Sequence, residues 1–175
     1  RELVIGSSAS SVDAIDAVGI EPRRFSDAIA FDAPANLAAR YWDLPRGDRL
    51  HTNPEYGGPP IGRRRLRYLD RSPVARVPEL ARSSTDLRFY VSRTDAVACD
   101  PQQMPVLLRL LARDRGRAIP VMVGSWRHGT GWALYADYEL QRLGIAPTDA
   151  PVHVPERRAV GAGNPRQALC SPLLR

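Results

Sequence analysis

Leu3-Val4-Ile5-Gly6-Ser7-Ser8-Ala9-Ser10-Ser11-Val12, continuing through Ile15 and Val18 to Gly19, is the stretch on which the fold turns. An apolar run rich in β-branched side chains stops at Gly6, and Val12, Ile15 and Val18 then recur at helical spacing. This reads as strand, tight turn and helix. Asp27-Ala28-Ile29-Ala30-Phe31 supplies a second strand, ended by Asp32 and Pro34. Leu87-Arg88-Phe89-Tyr90-Val91 is a third. Ala118-Ile119-Pro120-Val121-Met122-Val123 is a fourth, in which Pro120 lacks a ladder donor and argues for a strand start or a sheet edge. Met104 to Arg115 carries Met104, Leu107, Leu108 and Leu111 on one face, with Gly116 past its end, and Trp132 to Leu143 reads as a closing helix ended by Gly144. Short apolar strands alternating with helices predict an α/β fold: a parallel sheet of about four strands with flanking helices and right-handed crossovers.

Two regions break the alternation. Residues 34–80 hold Pro34, Pro45, Pro54, Pro59, Pro60, Pro73 and Pro78 among Gly47, Gly57, Gly58 and Gly62, and show no regular period. A stretch of that length without structure of its own is usually functional, so it is expected to be a lid-like insertion within a domain of residues 1–150, with Tyr41 and Trp42 as substrate-pocket candidates. Residues 151–175, again proline-rich with few apolar anchors, are expected to be an irregular C-terminal tail.

Composition narrows the function classes. The net charge of +6 comes entirely from arginine, since all 25 basic residues are arginine. They are scattered apart from Arg63-Arg64-Arg65-Leu66-Arg67, and a nucleic-acid site needs a coherent basic face, so no nucleic-acid partner is expected. No apolar run approaches the length of about 20 residues that spans a bilayer. Cys99 and Cys170 allow one disulfide and are too few for a zinc site; neither a cofactor nor a metal is expected. The sequence opens at Arg1 without an initiator Met or an apolar leader, which leaves the compartment open and gives the start the look of a cut.

Gly6-Ser7-Ser8-Ala9-Ser10 has the G-x-S-x-G spacing of a strained strand-to-helix turn that pushes a nucleophilic serine outward, with Ser10 where a second glycine is usual. The same string suits a plain helix-capping serine, or a phosphate cradle with too little glycine and no lysine. Two further residues give the serine its company. Asp95 lies beyond the third strand and His128 beyond the fourth, and positions past the carboxyl ends of parallel strands share one edge of the sheet. Asp100 is the alternative acid, and a lone histidine at a loop also occurs with no chemistry attached.

Ser125-Trp126-Arg127-His128-Gly129-Thr130-Gly131-Trp132-Ala133-Leu134-Tyr135 resembles the G-G-H-x-W-x-x-W segment of the esterase D, enterochelin-esterase-like and mycolyltransferase-like branch of the α/β-hydrolases. Tyr90 to Asp95 and the helix around Leu107 to Leu111 resemble its acid-bearing strand and helix. The likeness covers about residues 1–145 and implies the C-terminal half of an α/β-hydrolase fold. It implies Ser8 as nucleophile, Asp95 and His128 as acid and base, the Ala9 amide in the oxyanion hole, Trp132 near the substrate, and a small-molecule ester as substrate for hydrolysis or acyl transfer. A second oxyanion donor is then expected from an N-terminal half or partner chain docking on the strand at residues 2–6. The alternative is a non-catalytic binding module that uses the insertion aromatics and the arginine cluster on an acidic or apolar partner.

Overall fold

The structure is a computed structural model that describes residues 2–147, 149 and 151–171. Strand β1 (Leu3–Ser7) leads into helix α1 (Ala9–Ile20) and returns as β2 (Asp27–Phe31). Helices α2 (Leu37–Asp43), α3 (Arg46–Tyr56), α4 (Arg64–Asp70) and α5 (Val77–Arg82) follow, with a 3₁₀ turn at Pro73–Arg76. The chain continues through β3 (Asp86–Ser92), α6 (Met104–Arg115), β4 (Ile119–Gly124), α7 (Gly131–Arg142), β5 (Glu156–Val160) and α8 (Pro165–Leu169). The sheet order is β1-β2-β3-β4-β5; the first four strands are parallel and β5 runs antiparallel to β4.

Period-two alternation divides the sheet between two cores. Ala28 and Ala30, with Leu87, Phe89 and Val91, meet Ile15 and Val18 of α1 and Leu107, Leu108 and Leu111 of α6. Ile29, Phe31, Tyr90 and Met122 face the other way, toward Trp126, Leu143 and Tyr135. On that face Glu139 of α7 is 1% exposed and is paired with Arg88 and Arg142, and the Tyr90 hydroxyl donates to it. A buried carboxylate without such partners would cost several kcal/mol, so this network anchors α7 to the sheet. No helix among the described residues is long and apolar enough to cross a membrane.

Two expectations need correction. Residues 34–80 are largely helical. Most of their prolines punctuate helices instead of preventing them: Pro45 precedes α3, and Pro73 and Pro78 occupy first-turn positions where a missing N–H costs nothing, while Pro54 sits inside α3 near its end and Gly57 closes that helix at φ 76°. Helices of six to eleven residues are too short to display a clear 3.6 period. Within this insertion Ala38, Tyr41, Tyr56 and Tyr68 form a small core of their own.

The segment after 151 is likewise ordered, as β5 and α8; residues 172–175 of the expected tail lie outside the described residues. Cys170, at the end of α8, forms a disulfide with Cys99, closing a loop of 71 residues. Cross-linking a loop of that length restricts the unfolded chain by about 4 kcal/mol on the chain-entropy account. Cys170→Ser should therefore lower the melting temperature by roughly 10 °C, read by circular dichroism with and without reductant. An unchanged melting curve would mean that the bond contributes nothing.

Candidate active site

The ends of β1, β2, β3 and β4 converge at one edge of the sheet, and each delivers a polar residue there. Ser8, between β1 and α1, adopts φ 54° and ψ −120°, one of two non-glycine residues with positive φ among those described. Such a conformation costs of the order of 1–3 kcal/mol and persists only where the surroundings impose it. They do so here. The Ser8 amide donates to the Phe31 carbonyl at 2.9 Å, and a Cβ on Gly6 would lie 2.2 Å from the Ser10 carbonyl oxygen, so only glycine lets helix α1 start this close to β1. Ser10 takes the usual glycine position because its hydroxyl folds back onto the turn, donating to the Ser7 carbonyl and accepting from the Ser7 amide, both at 2.9 Å.

Ser8 Oγ lies 2.7 Å from His128 Nε2, and His128 Nδ1 lies 2.7 Å from Asp95 Oδ2. With Asp95 accepting from Nδ1–H, Nε2 is left to accept from the serine. Asp95, whose side chain is 1% exposed, also receives the Val97 amide on Oδ1 at 2.8 Å. The loop bearing His128 is tied at both ends. Ser92 Oγ donates to the Trp126 carbonyl and accepts from its amide, and Ser7 Oγ donates to the Gly129 carbonyl at 3.0 Å. A Cβ on Gly129, at φ 74°, would stand 3.6 Å from Ser8 Cβ.

The hydrogen bond to Asp95 raises the His128 pKa above its ordinary value, assisted by the charges of Asp95 and Asp32 and opposed by burial and by Arg40. Were His128 to serve as a general base it would have to be unprotonated to act, so the raised pKa would move the rise of activity with pH upward. The acid limb of a kcat/KM profile should lie above the ordinary imidazole pKa of about 6.5. A limb at or below that value would contradict this electrostatic reading.

The structure brings Ser8, Asp95 and His128 together. It does not bring Asp100, whose carboxylate accepts from the Gln102 amide at 2.7 Å in the turn before α6. Ala9 is the first residue of α1, so its amide has no intrahelical acceptor, and it lines the cleft beside Ser8. That cleft, of about 390 Å³, runs from Ser8 and His128 to the insertion helices, where Arg40, Tyr41, Tyr56 and Tyr68 line it. Tyr41 thus lines the cleft from α2. Trp42, 49% exposed, falls outside the cleft, and Trp132, 53% exposed, borders a separate depression beside Ile5 and Ser10.

One residue at this edge escapes the sequence reading: Asp32, fully buried just past β2, at φ 48°. Its carboxylate lies with Asp95 and His128, the three offering ligand atoms within 4.8 Å of one another. Both His128 ring nitrogens already face Ser8 and Asp95, so hydrogen bonds account for the cluster without a metal ion. The signal was available, since Asp32 ends a strand just as Asp95 and His128 follow theirs.

Comparison with known proteins places this architecture. Neither a family model nor a curated protein matches the sequence. Among solved structures, a puromycin-hydrolyzing peptidase of Mycobacterium tuberculosis superposes with a TM-score of 0.61 at 17% identity, covering 89% of this chain and 24% of that one. The acylaminoacyl peptidase of Pyrococcus horikoshii superposes at 0.57 and 16% identity, covering 86% and 25%. The fold is that of the α/β-hydrolases. The chain spans about a quarter of the length of these structures, so the likeness concerns one part of each. Within an α/β-hydrolase fold, a strained serine after one parallel strand and a histidine after the last of them stand at the edge where ligands bind.

Proposed function

We propose that this chain carries the chemistry of a serine-dependent carboxylic-ester hydrolase or acyltransferase. The observation that carries the reading is the 2.7 Å contact between Ser8 Oγ and His128 Nε2, made by a serine held at positive φ. In this reading His128 removes the Ser8 proton as the oxygen attacks an ester carbonyl. Asp95 holds the imidazole tautomer and stabilises the imidazolium. The Ala9 amide donates to the developing oxyanion. His128 then protonates the leaving alkoxide, and water or an alcohol releases the acyl group by the same steps reversed.

One oxyanion donor falls short of a complete hole, and a missing donor costs on the order of 100- to 1000-fold in rate. The proposal therefore includes an N-terminal half of the fold, or a partner chain, that pairs with β1 and brings the second donor. Among the described residues β1 pairs in the sheet only with β2, and Ile5 stands 45% exposed beside Trp132. Such an open strand edge is a template for another strand. The segment around His128 keeps the esterase D-like branch as the relationship in view. A binding module without chemistry would have no use for the backbone strain at Ser8.

The test is labelling by a fluorophosphonate, with the modified residue located by mass spectrometry. Covalent label on Ser8 is expected. Absence of label from Ser8, with the chain folded, would overturn the proposal.

A further inference from the structure

Asp32 is fully buried, yet it does not touch Ser8 or the cleft. Its Oδ1 accepts the Ser92 amide at 3.0 Å, at the end of β3. Its Oδ2 accepts the Trp126 indole N–H and, at 3.4 Å, the Gly129 amide, both in the loop that carries His128. One carboxylate thus joins the ends of β2 and β3 to the histidine loop on either side of His128. We propose that Asp32 is a positioning residue for His128. It fixes the histidine loop through these N–H donors and places a second negative charge beside the imidazole, next to that of Asp95.

Three observations converge on this role. Every donor that reaches Asp32 comes from a segment flanking Asp95 or His128. Its backbone stands at φ 48°, a region uncommon for non-glycine residues though more open to aspartate than to most. Its burial is also costly. Desolvation, only partly offset by the Ser92 and Trp126 hydrogen bonds, pushes its pKa up to about 6, and the charge of Asp95 raises it further while that of His128 lowers it. A purely structural group facing N–H donors would be served better by a neutral acceptor. A carboxylate kept here supplies charge. Arg40, from α2, opposes that charge at His128.

The inference rests on the catalytic reading for its effect on rate, but its electrostatic part can be read without turnover. Asp32→Asn keeps the shape, removes the charge and turns one acceptor into a donor. In proton NMR titrations, the His128 ring of the variant is expected to titrate at lower pH than in the wild type. In ester turnover, kcat should fall about 10- to 100-fold with KM little changed, as expected for a misplaced base. The acid limb of kcat/KM should move to lower pH, a displacement that mere loosening of the fold would not produce. An unchanged His128 titration together with a kcat within about twofold of wild type would overturn the proposal.

If the variant fails to fold, the wild type supplies the measurement. The Trp126 indole N–H resonance should shift with a midpoint near 6, following the Asp32 carboxyl observed by carbon-13 labelling of aspartate. A flat indole response between about pH 4 and 8 would refute the coupling. Failure of fluorophosphonate to label Ser8 counts against the catalytic reading, while the titrations of His128 and Trp126 continue to report on Asp32.

Discussion

Ser8→Ala should abolish fluorophosphonate labelling and reduce ester turnover by at least about 10⁴-fold, leaving only what the oxyanion donor and the cleft contribute. The size follows from the division of labour. Among the described residues the hydroxyl facing His128 Nε2, 2.7 Å away, is that of Ser8. Two neighbouring serines provide the control. Ser7 Oγ is committed to the Gly129 carbonyl and Ser10 Oγ to the Ser7 backbone. Ser7→Ala and Ser10→Ala should therefore keep the label and lose about tenfold or less, through looser positioning. Stability should change little in Ser8→Ala: the hydrogen bond to His128 Nε2 is lost, but the His128 loop stays held by Ser7 and Ser92. If Ser8→Ala retained turnover within about tenfold of wild type, the nucleophile would have to be sought elsewhere and the proposed function would fall.

Legibility in the sequence followed how each element spends its side chains. Strands β2, β3 and β4 were readable because burial on both faces forces largely apolar runs, and β2 is buried along its whole length; β1, with Ile5 exposed, was readable from its β-branched run stopping at Gly6. Helix α6 was readable because one face is fully committed to the core. Strand β5, Glu-Arg-Arg-Ala-Val, buries only Val160; an edge strand held by backbone ladder bonds and solvated side chains leaves no alternation to find. The site was readable to the extent that topology alone assembles it. Ser8, Asp95 and His128 all follow parallel strands and so had to share an edge, whatever their spacing along the chain. Asp32 satisfied the same rule but looked like a strand stop, because an aspartate before Ala33-Pro34 is ordinary turn chemistry. Trp42 and Trp132 show the opposite error: aromatic identity suggests a pocket, but the phase of a residue on its helix decides which side it faces. Tyr41 points into the cleft, and its neighbour Trp42 does not.

Asp95→Asn should cost about 10⁴-fold in kcat while Asp100→Asn leaves activity within about twofold, a contrast that tests the acid assignment directly. The cause is a tautomer. Asparagine can keep the Val97 amide on its carbonyl oxygen, so the turn survives and the amide nitrogen faces His128 Nδ1 as a donor. The ring must then accept at Nδ1 and carry its proton on Nε2, where it confronts Ser8 and cannot take the serine proton. The fold remains; the base is disabled. At Asp100 the carboxylate only caps the Gln102 amide, a contact that Asn reproduces with its own carbonyl oxygen. Asp32 does not rescue Asp95→Asn in this account, because its oxygens are engaged by Ser92, Trp126 and Gly129 and its charge acts on the ring without choosing the tautomer. Steady-state kinetics on the two variants, with the proton resonances of His128 recorded in parallel, decide the matter. Comparable losses in both variants would mean that the 2.7 Å contact of His128 with Asp95 does not set the tautomer on which the base depends.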